Sequence, residues 1–274
     1  TLIDLLKAHS DKICPKKKDL IMACGEIISA SVMAAYIEAN GMAAEAMTGF
    51  QAGIVTTEDF GNAEILEVNI DPVMDRLQEG KVVVVAGFQG QTKKGEITTL
   101  GRGGSDTTAV VLGGYLKADM IEIYTDVPGV AVTDPRVIPE APFIPEVSYD
   151  EVLAMAQSGA KVIHPRAVKA AKKFNLPFRI KSTFDKGEGT LISNKSSKLE
   201  IAGITLQEDT QDFSKISVVY GCGEGESIKT KISQALIARN IPLKSHESLS
   251  AYCSYTVPEK YKQKAIETIF FKFF

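Results

Sequence analysis

The apolar positions change period along the chain, and each change marks an element. In residues 25–40 (GEIISASVMAAYIEAN) they fall at Ile27, Ile28, Val32, Ala35 and Ile37, a helical spacing that Gly41 closes. Residues 81–88 (KVVVVAGF) are apolar without alternation, which predicts a strand buried on both faces of a parallel sheet. Short strands are expected at 43–48 and 65–68, and a helix at 73–79 follows Asp71-Pro72. Further on, the pattern predicts helices at 106–117, 148–158 and 165–175 and strands at 120–124 and 177–181. Ser148-x-x-Glu151 is a capping box, and Pro165 sits where a first helical turn accepts proline. Repeated β-loop-α units predict an α/β layered sheet.

After residue 184 the pattern breaks. Asp185-Lys-Gly-Glu-Gly189 and the polar run 193–198 (SNKSSK) read as a boundary, and elements beyond it are smaller. Strands at 216–220, 241–244 and 251–257 with helices at 228–239 and 259–271 fit a ferredoxin-like unit. There is no internal repeat.

Composition narrows the ligand class. The 274 residues are 45% hydrophobic and 24% charged, enough for a large core. Thirty-one basic against 34 acidic residues leave a charge of −3, which removes the electrostatic case for nucleic acid or an anionic membrane. No wholly apolar run approaches the roughly 18 residues of a membrane span. Cysteines at 14, 24, 222 and 253 show no CxxC pairing, so a reducing compartment is expected. The chain opens on Thr1 with no charged-then-apolar leader, so we expect no signal or transit peptide and a start inside a longer protein.

Ten of the 22 glycines lie between positions 80 and 129, and the candidate chemistry clusters there. Gly101-Arg-Gly-Gly-Ser-Asp106 leads into a helix, with Ser105 or Asp106 available as N-cap. Such a glycine-lined helix start suits an anion, though a plain capped turn reads the same way. Arg102 adds a fork for a carboxylate or phosphate. Gly90-x-x-x-x-Gly95 continues Glu-Ile, so it is no P-loop. Gly101-x-Gly103 and Asp126 imitate part of a dinucleotide fingerprint, but Asp106 replaces the third glycine and would repel pyrophosphate. Residues 124–136 (YTDVPGVAVTDPR) place two aspartates and Arg136 beyond a strand's carboxyl end, where open α/β sheets bind ligands; a Pro-Gly type II turn is the plain alternative. Residues 158–165 (SGAKVIHP) offer Lys161 and His164, individually read as a solvated lysine and a capping histidine. Glu26, after Cys24-Gly25, reads alone as a first-turn complement to the helix dipole. His9, His164 and His246 are too few and scattered for a metal set, and no Ser-His-Asp arrangement is present.

Taken together, CGE at 24–26, TGFQAGIVT at 48–56, VAGFQG at 85–90, TTLGRGGSD at 98–106, YTDVPGVAVTDPR at 124–136 and SGAKVIHP at 158–165 resemble the aspartokinases of the amino acid kinase family, strongly over residues 15–195. The resemblance implies a three-layer αβα sandwich with a largely parallel sheet over 1–198, plus a smaller ferredoxin-like ACT-type α+β domain over 199–274. It implies transfer of the γ-phosphoryl of MgATP to the side-chain carboxylate of L-aspartate, giving 4-phospho-L-aspartate, the first step towards lysine, threonine and methionine. By resemblance Arg102 clasps the substrate carboxylate and Glu26 its ammonium. Thr48, Phe88, Gly103 and Ser105 shape that pocket, and Asp106 lies near the transferring group. Tyr124, Thr125, Asp126, Arg136, Lys161 and Val162 match positions around ATP, and Mg2+ accompanies it with no separate metal site. An end-product amino acid as inhibitor, lysine before threonine, a homodimer or dimer of dimers, and a cytoplasmic location are further expectations, with no nucleic-acid or membrane partner.

The sequence departs from the family in two places. The family's first strand and its Lys-Phe-Gly-Gly-Thr-Ser motif are missing, and we expect them in the full protein. Residues 216–274 suffice for about one ACT unit where the family has two, with 207–214 read as a spliced gap and 255–258 resembling the second unit's end. We expect no dehydrogenase domain after residue 274, and so not the fused bifunctional form. A non-catalytic amino-acid-binding regulator is the alternative that the missing lysine motif favours. Sister kinases acting on glutamate, acetylglutamate or a nucleotide share the fold, and GRGGSD with SGAKVIHP points away from them. Residues 221–225 (GCGEG) read either as an effector's carboxylate site or as a flexible linker.

Overall fold

The computed structural model describes residues 2–9, 12–160 and 163–274, which divide into two compact units, Thr1–Ala118 and Asp119–Phe274. The first runs α1 (Leu2–Lys7), α2 (Pro15–Ala39), β1 (Ala44–Met47), β2 (Ile54–Thr56), β3 (Ile65–Val68), α3 (Asp71–Gln78), β4 (Val82–Val85), β5 (Gln89–Thr92), β6 (Ile97–Thr99) and α4 (Gly104–Tyr115). Strands β1 and β4 pair in parallel, and a second sheet has the order β3-β2-β5-β6 with β2 and β5 parallel. The α/β class expected from the sequence holds.

Helix α2 begins at Pro15, well before residue 25, because Lys16, Lys17 and Lys18 carry no apolar period to announce it. Its buried stripe is Asp19, Ala23, Ala30 and Ala34, small side chains that bring its backbone close to β1 and β6. Ile28 and Val32, two of the apolar positions that mark its helical spacing, are 61% and 65% exposed. By length and composition alone α2 could cross a membrane; here it packs on β1, β4 and β6 and buries a carboxylate. Strand β4 is less buried than its valines predict, with Val82 exposed and Val83 to Val85 half-buried, because among the described residues only β1 pairs with it. Met47, Ala52 and Val73 form a core cluster beneath it, joined by Val83, Val85 and Leu116.

The second unit runs β7 (Ile121–Thr125), β8 (Glu146–Ser148), α5 (Tyr149–Gln157), α6 (Pro165–Phe174), β9 (Phe178–Ser182), β10 (Thr190–Ser193), β11 (Ile201–Thr210), β12 (Phe213–Tyr220), α7 (Gly225–Ala238), β13 (Ser245–Ser248), β14 (Tyr252–Pro258), a 3-10 turn (Glu259–Tyr261) and α8 (Lys262–Phe273). One sheet has the order β7-β9-β10-β8, with β7-β9 and β10-β8 parallel. The capping box at the start of α5 forms as read, and buried Glu151 also accepts hydrogen bonds from the backbone N–H and Oγ of Ser197. Thr205 Oγ1 donates to Ser158 O at 2.5 Å, and Gly203 leaves room for Met155. The last two contacts join the segments on either side of residue 198; the division into units falls at 118/119, and the sequence boundary lies inside the second unit.

The other sheet is antiparallel, in the order β11-β12-β14-β13, with α7 and α8 packed on it. From β12 to α8 it supplies the βαββα part of a ferredoxin-like unit, and β11, the preceding strand, takes the edge beside β12. The strand expected at 241–244 is displaced to Ser245–Ser248. Pro242 has no N–H for a ladder, and pairing with β14 selects an exposed polar run that apolar patterning does not register.

Candidate active site

Parallel strands β1 and β4 end side by side, where Ala86 N–H donates to Met47 O at 2.8 Å, and they release Thr48 and Phe88. Phe88 has φ 68°, strained for a side chain with a ring. Its N–H donates to Thr108 Oγ1 at 3.0 Å, and its carbonyl accepts from Leu100 N–H at 2.8 Å. The ring lies where a Cβ on Gly104 would be, 2.7 Å from Phe88 Cδ2.

Between β6 and α4 the chain turns through Gly101 (φ 73°), Arg102 and Gly103 (φ 71°). The N-cap of α4 is Gly103 in the left-handed conformation, not Ser105 or Asp106, which both lie inside the first turn. A left-handed glycine sets the chain direction there without a side-chain cap, and the Gly104 N–H closes the turn onto Gly101 O at 3.0 Å. The result is an open cavity of about 440 Å³ lined by Lys18, Asp19, Phe88, Arg102, Ser105 and Asp106 among others. A guanidinium, an ammonium, a hydroxyl and a helix N-terminus can meet an anion there, with Asp106 as the opposing charge.

Glu26 sits in the middle of α2, so it complements no helix dipole. It lines a neighbouring, mostly apolar hollow with Val83, Val85, Leu112 and Ser105, and Ser105 borders both spaces. Thr48 lines neither; its N–H and Oγ1 donate to Gln51 Oε1 at 2.9 and 3.0 Å. Lys18, Asp19 and Thr99 are cavity residues that the sequence reading missed. The available signal was an acid at position 19 on the same stripe as Ala23, Ala30 and Ala34.

In the second unit Tyr124 and Thr125 close β7, with Asp126 beyond. Tyr124 Oη donates to Glu122, and Thr125 Oγ1 to Asp126 Oδ1 at 3.1 Å. Hydrogen bonds from Tyr124 and Lys181 hold the Glu122 carboxyl below its usual range. Gly129 has φ 157°, not the roughly +80° of a type II turn. It is glycine because a Cβ would meet Thr190 Oγ1 at 2.4 Å. Arg136 folds back on Asp134, Nη2 to Oδ2 2.6 Å, with the arginine side chain 86% exposed; the pairing lowers the Asp134 carboxyl's pKa and raises the arginine's. His164 caps α6, accepting from Arg166 N–H at 3.3 Å, as the plain reading expects. Lys161 and Val162 lie outside the described residues.

The sequence model of the amino acid kinase family matches residues 3–182. Aspartokinase 2 of Bacillus subtilis is 43% identical over 88% of this chain and 59% of its own length. The aspartokinase of Thermus thermophilus is 37% identical over 98% of this chain and 67% of its own. The chain spans about three-fifths of the length of the first curated relatives it matches. Among solved structures, E. coli aspartokinase III in complex with aspartate and ADP superposes with a TM-score of 0.67 at 28% identity, over 94% of this chain and 58% of that one. The same enzyme has also been solved with lysine and aspartate, with a TM-score of 0.65.

Proposed function

Because the chain belongs to the amino acid kinase family, we propose that the protein is an aspartate kinase, moving the γ-phosphoryl of MgATP to the side-chain carboxylate of L-aspartate. The observation that carries this reading is the cavity at the start of α4, where Arg102, Ser105 and Asp106 meet beside a left-handed Gly103. Identity to curated aspartokinases over most of the chain supports the choice of acceptor.

Phosphoryl transfer asks a protein for position and for neutralised charge rather than covalent help. The acceptor carboxylate is already ionised and needs no general base. Arg102 clasps the substrate's carboxylate with its fork, and the first-turn amides of α4 add fixed dipoles. Glu26 takes the substrate ammonium at the other side of Ser105, while Phe88 lines the pocket and Thr48 braces the turn after β1 through Gln51. Asp106 is the carboxylate near the transferring group. Tyr124, Thr125, Asp126, Arg136, Lys161 and Val162 serve the nucleotide. Asp106 is the carboxylate that would hold Mg2+ arriving with the ATP phosphates, and the ion would offset charge on the phosphoryl oxygens.

Release of ADP by the full-length protein that depends on aspartate, with glutamate as control, tests this reading; equal rates with both acceptors would overturn it. The region from residue 199 is proposed as ACT-type and regulatory, in a cytoplasmic homodimer or dimer of dimers. Lysine, then threonine, should lower the rate and weaken aspartate binding reciprocally, since an effector acts only through unequal affinity for two states. Titration of both amino acids with light scattering for mass checks this, and an unresponsive monomer contradicts it.

Arg136→Ala should raise the KM for MgATP by about three- to tenfold, because an exposed arginine gives up an existing ion pair to reach phosphate and gains modestly. The KM for aspartate should stay within about twofold. Calorimetry with an ATP analogue reads it directly, and unaltered nucleotide binding leaves Arg136 with Asp134 alone.

A further inference from the structure

Asp19 is 1% exposed, and a buried carboxylate is costly unless its oxygens are engaged. Here they are. Oδ2 accepts from Gly61 N–H and from Thr99 N–H, each at 2.8 Å, and Oδ1 accepts from Thr99 Oγ1 at 3.0 Å. Both partners lie next to the arginine loop. Thr99 ends β6, two residues before Gly101, and its carbonyl accepts from Ala63 N–H at 3.0 Å. Gly61 O is the atom that a Cβ on Gly101 would meet, at 2.7 Å. One carboxylate on α2 thus holds the two segments against which Gly101-Arg102-Gly103 is folded.

We infer that Asp19 is a positioning residue that sets the Arg102 loop over the cavity; as a statement about catalysis this rests on the aspartate kinase reading, and as a statement about the clamp it does not. Asp19 spends its lone pairs on Gly61 and Thr99, so its role is geometric acceptance rather than charge. Two substitutions separate the possibilities. In Asp19→Asn the amide oxygen can still accept both N–H groups, and the new NH2 can donate to Thr99 Oγ1, which serves as acceptor equally well. In Asp19→Ala both N–H groups and the Thr99 hydroxyl lose this acceptor, while the Ala63 N–H to Thr99 O bond between the two segments remains.

The expected result is that Asp19→Ala raises the KM for aspartate about tenfold or more while the KM for MgATP stays within about twofold, and that Asp19→Asn stays within about threefold of the parent on both. Amide exchange at Gly61 and Thr99 should quicken in the alanine variant and remain slow in the asparagine variant. Thr99→Val removes the hydroxyl bond alone and should give a smaller KM rise in the same direction, which keeps the test open if Asp19→Ala does not fold. Three results overturn the inference. Parental KM values in a less stable Asp19→Ala mean a merely structural group. Equal damage from asparagine and alanine means a role of charge. Unchanged exchange at Gly61 and Thr99 means no clamp. If the parent releases no ADP with aspartate, the functional reading falls, and exchange alone still decides the clamp.

Discussion

Replacing Arg102 with lysine should lower kcat/KM for aspartate by roughly ten- to a hundredfold, the size of one lost charge-assisted pair of about 1.5–3 kcal/mol. Lysine keeps the charge, so the loss isolates geometry. An ammonium is a point donor on a flexible stem, whereas the guanidinium presents two parallel N–H groups to two carboxylate oxygens. Stability should barely change, because Arg102 is exposed and sits in a loop whose shape is set by its neighbouring glycines. Steady-state kinetics with varied aspartate, beside thermal melts, give the answer. Parental kinetics in the variant, or a fall in melting temperature matching the fall in activity, would remove Arg102 from the substrate site.

Gly101→Ala should be the most damaging small substitution in the loop. Gly101 has φ 73°, where an L side chain costs about 1–2 kcal/mol. The added methyl would also lie 2.7 Å from Gly61 O, a backbone atom that no rotamer change can move aside. Overpacking of this kind typically costs about 1–3 kcal/mol, so the two together predict a loss of about 2–5 kcal/mol and a displaced Arg102. Gly95→Ala is the matched control. Gly95 has φ 80° with open space around its missing Cβ, so it should show the backbone strain alone. Denaturant unfolding of both variants checks the difference, and equal losses would mean that contact with Gly61 contributes nothing.

Local pattern carried some elements well. The capping box at Ser148 and Glu151 and the proline start of α6 need only near neighbours to exist, and they, with the short strands β1 and β3 and the valine strand β4, stand close to where the sequence predicts. Strands β2, β5, β6, β8, β10 and the ten-residue β11 went unseen because pairing with distant partners, which local pattern does not register, makes them strands. The site divides in the same way. Arg102, Gly103, Ser105, Asp106 and Phe88 were legible because their chemistry is carried in contiguous strings. Which of them share a cavity depended on Phe88's strained turn and on the ring that Gly104 admits.

By itself the sequence determined the α/β class, the glycine-rich start of α4, the capping of α5 and α6, and through its motifs the family, since each depends on residue type and spacing along the chain. Tertiary structure alone decided which face of α2 is buried. The apolar spacing that includes Ile28 and Val32 marks a helix without naming its inner face; close approach to β1 and β6 admits only small side chains, so the alanine stripe faces inward. That choice also brings Asp19 to Gly61 and Thr99, residues 42 and 80 positions away, and no rule of local spacing connects an acid on a helix with a turn and a strand so distant in the chain.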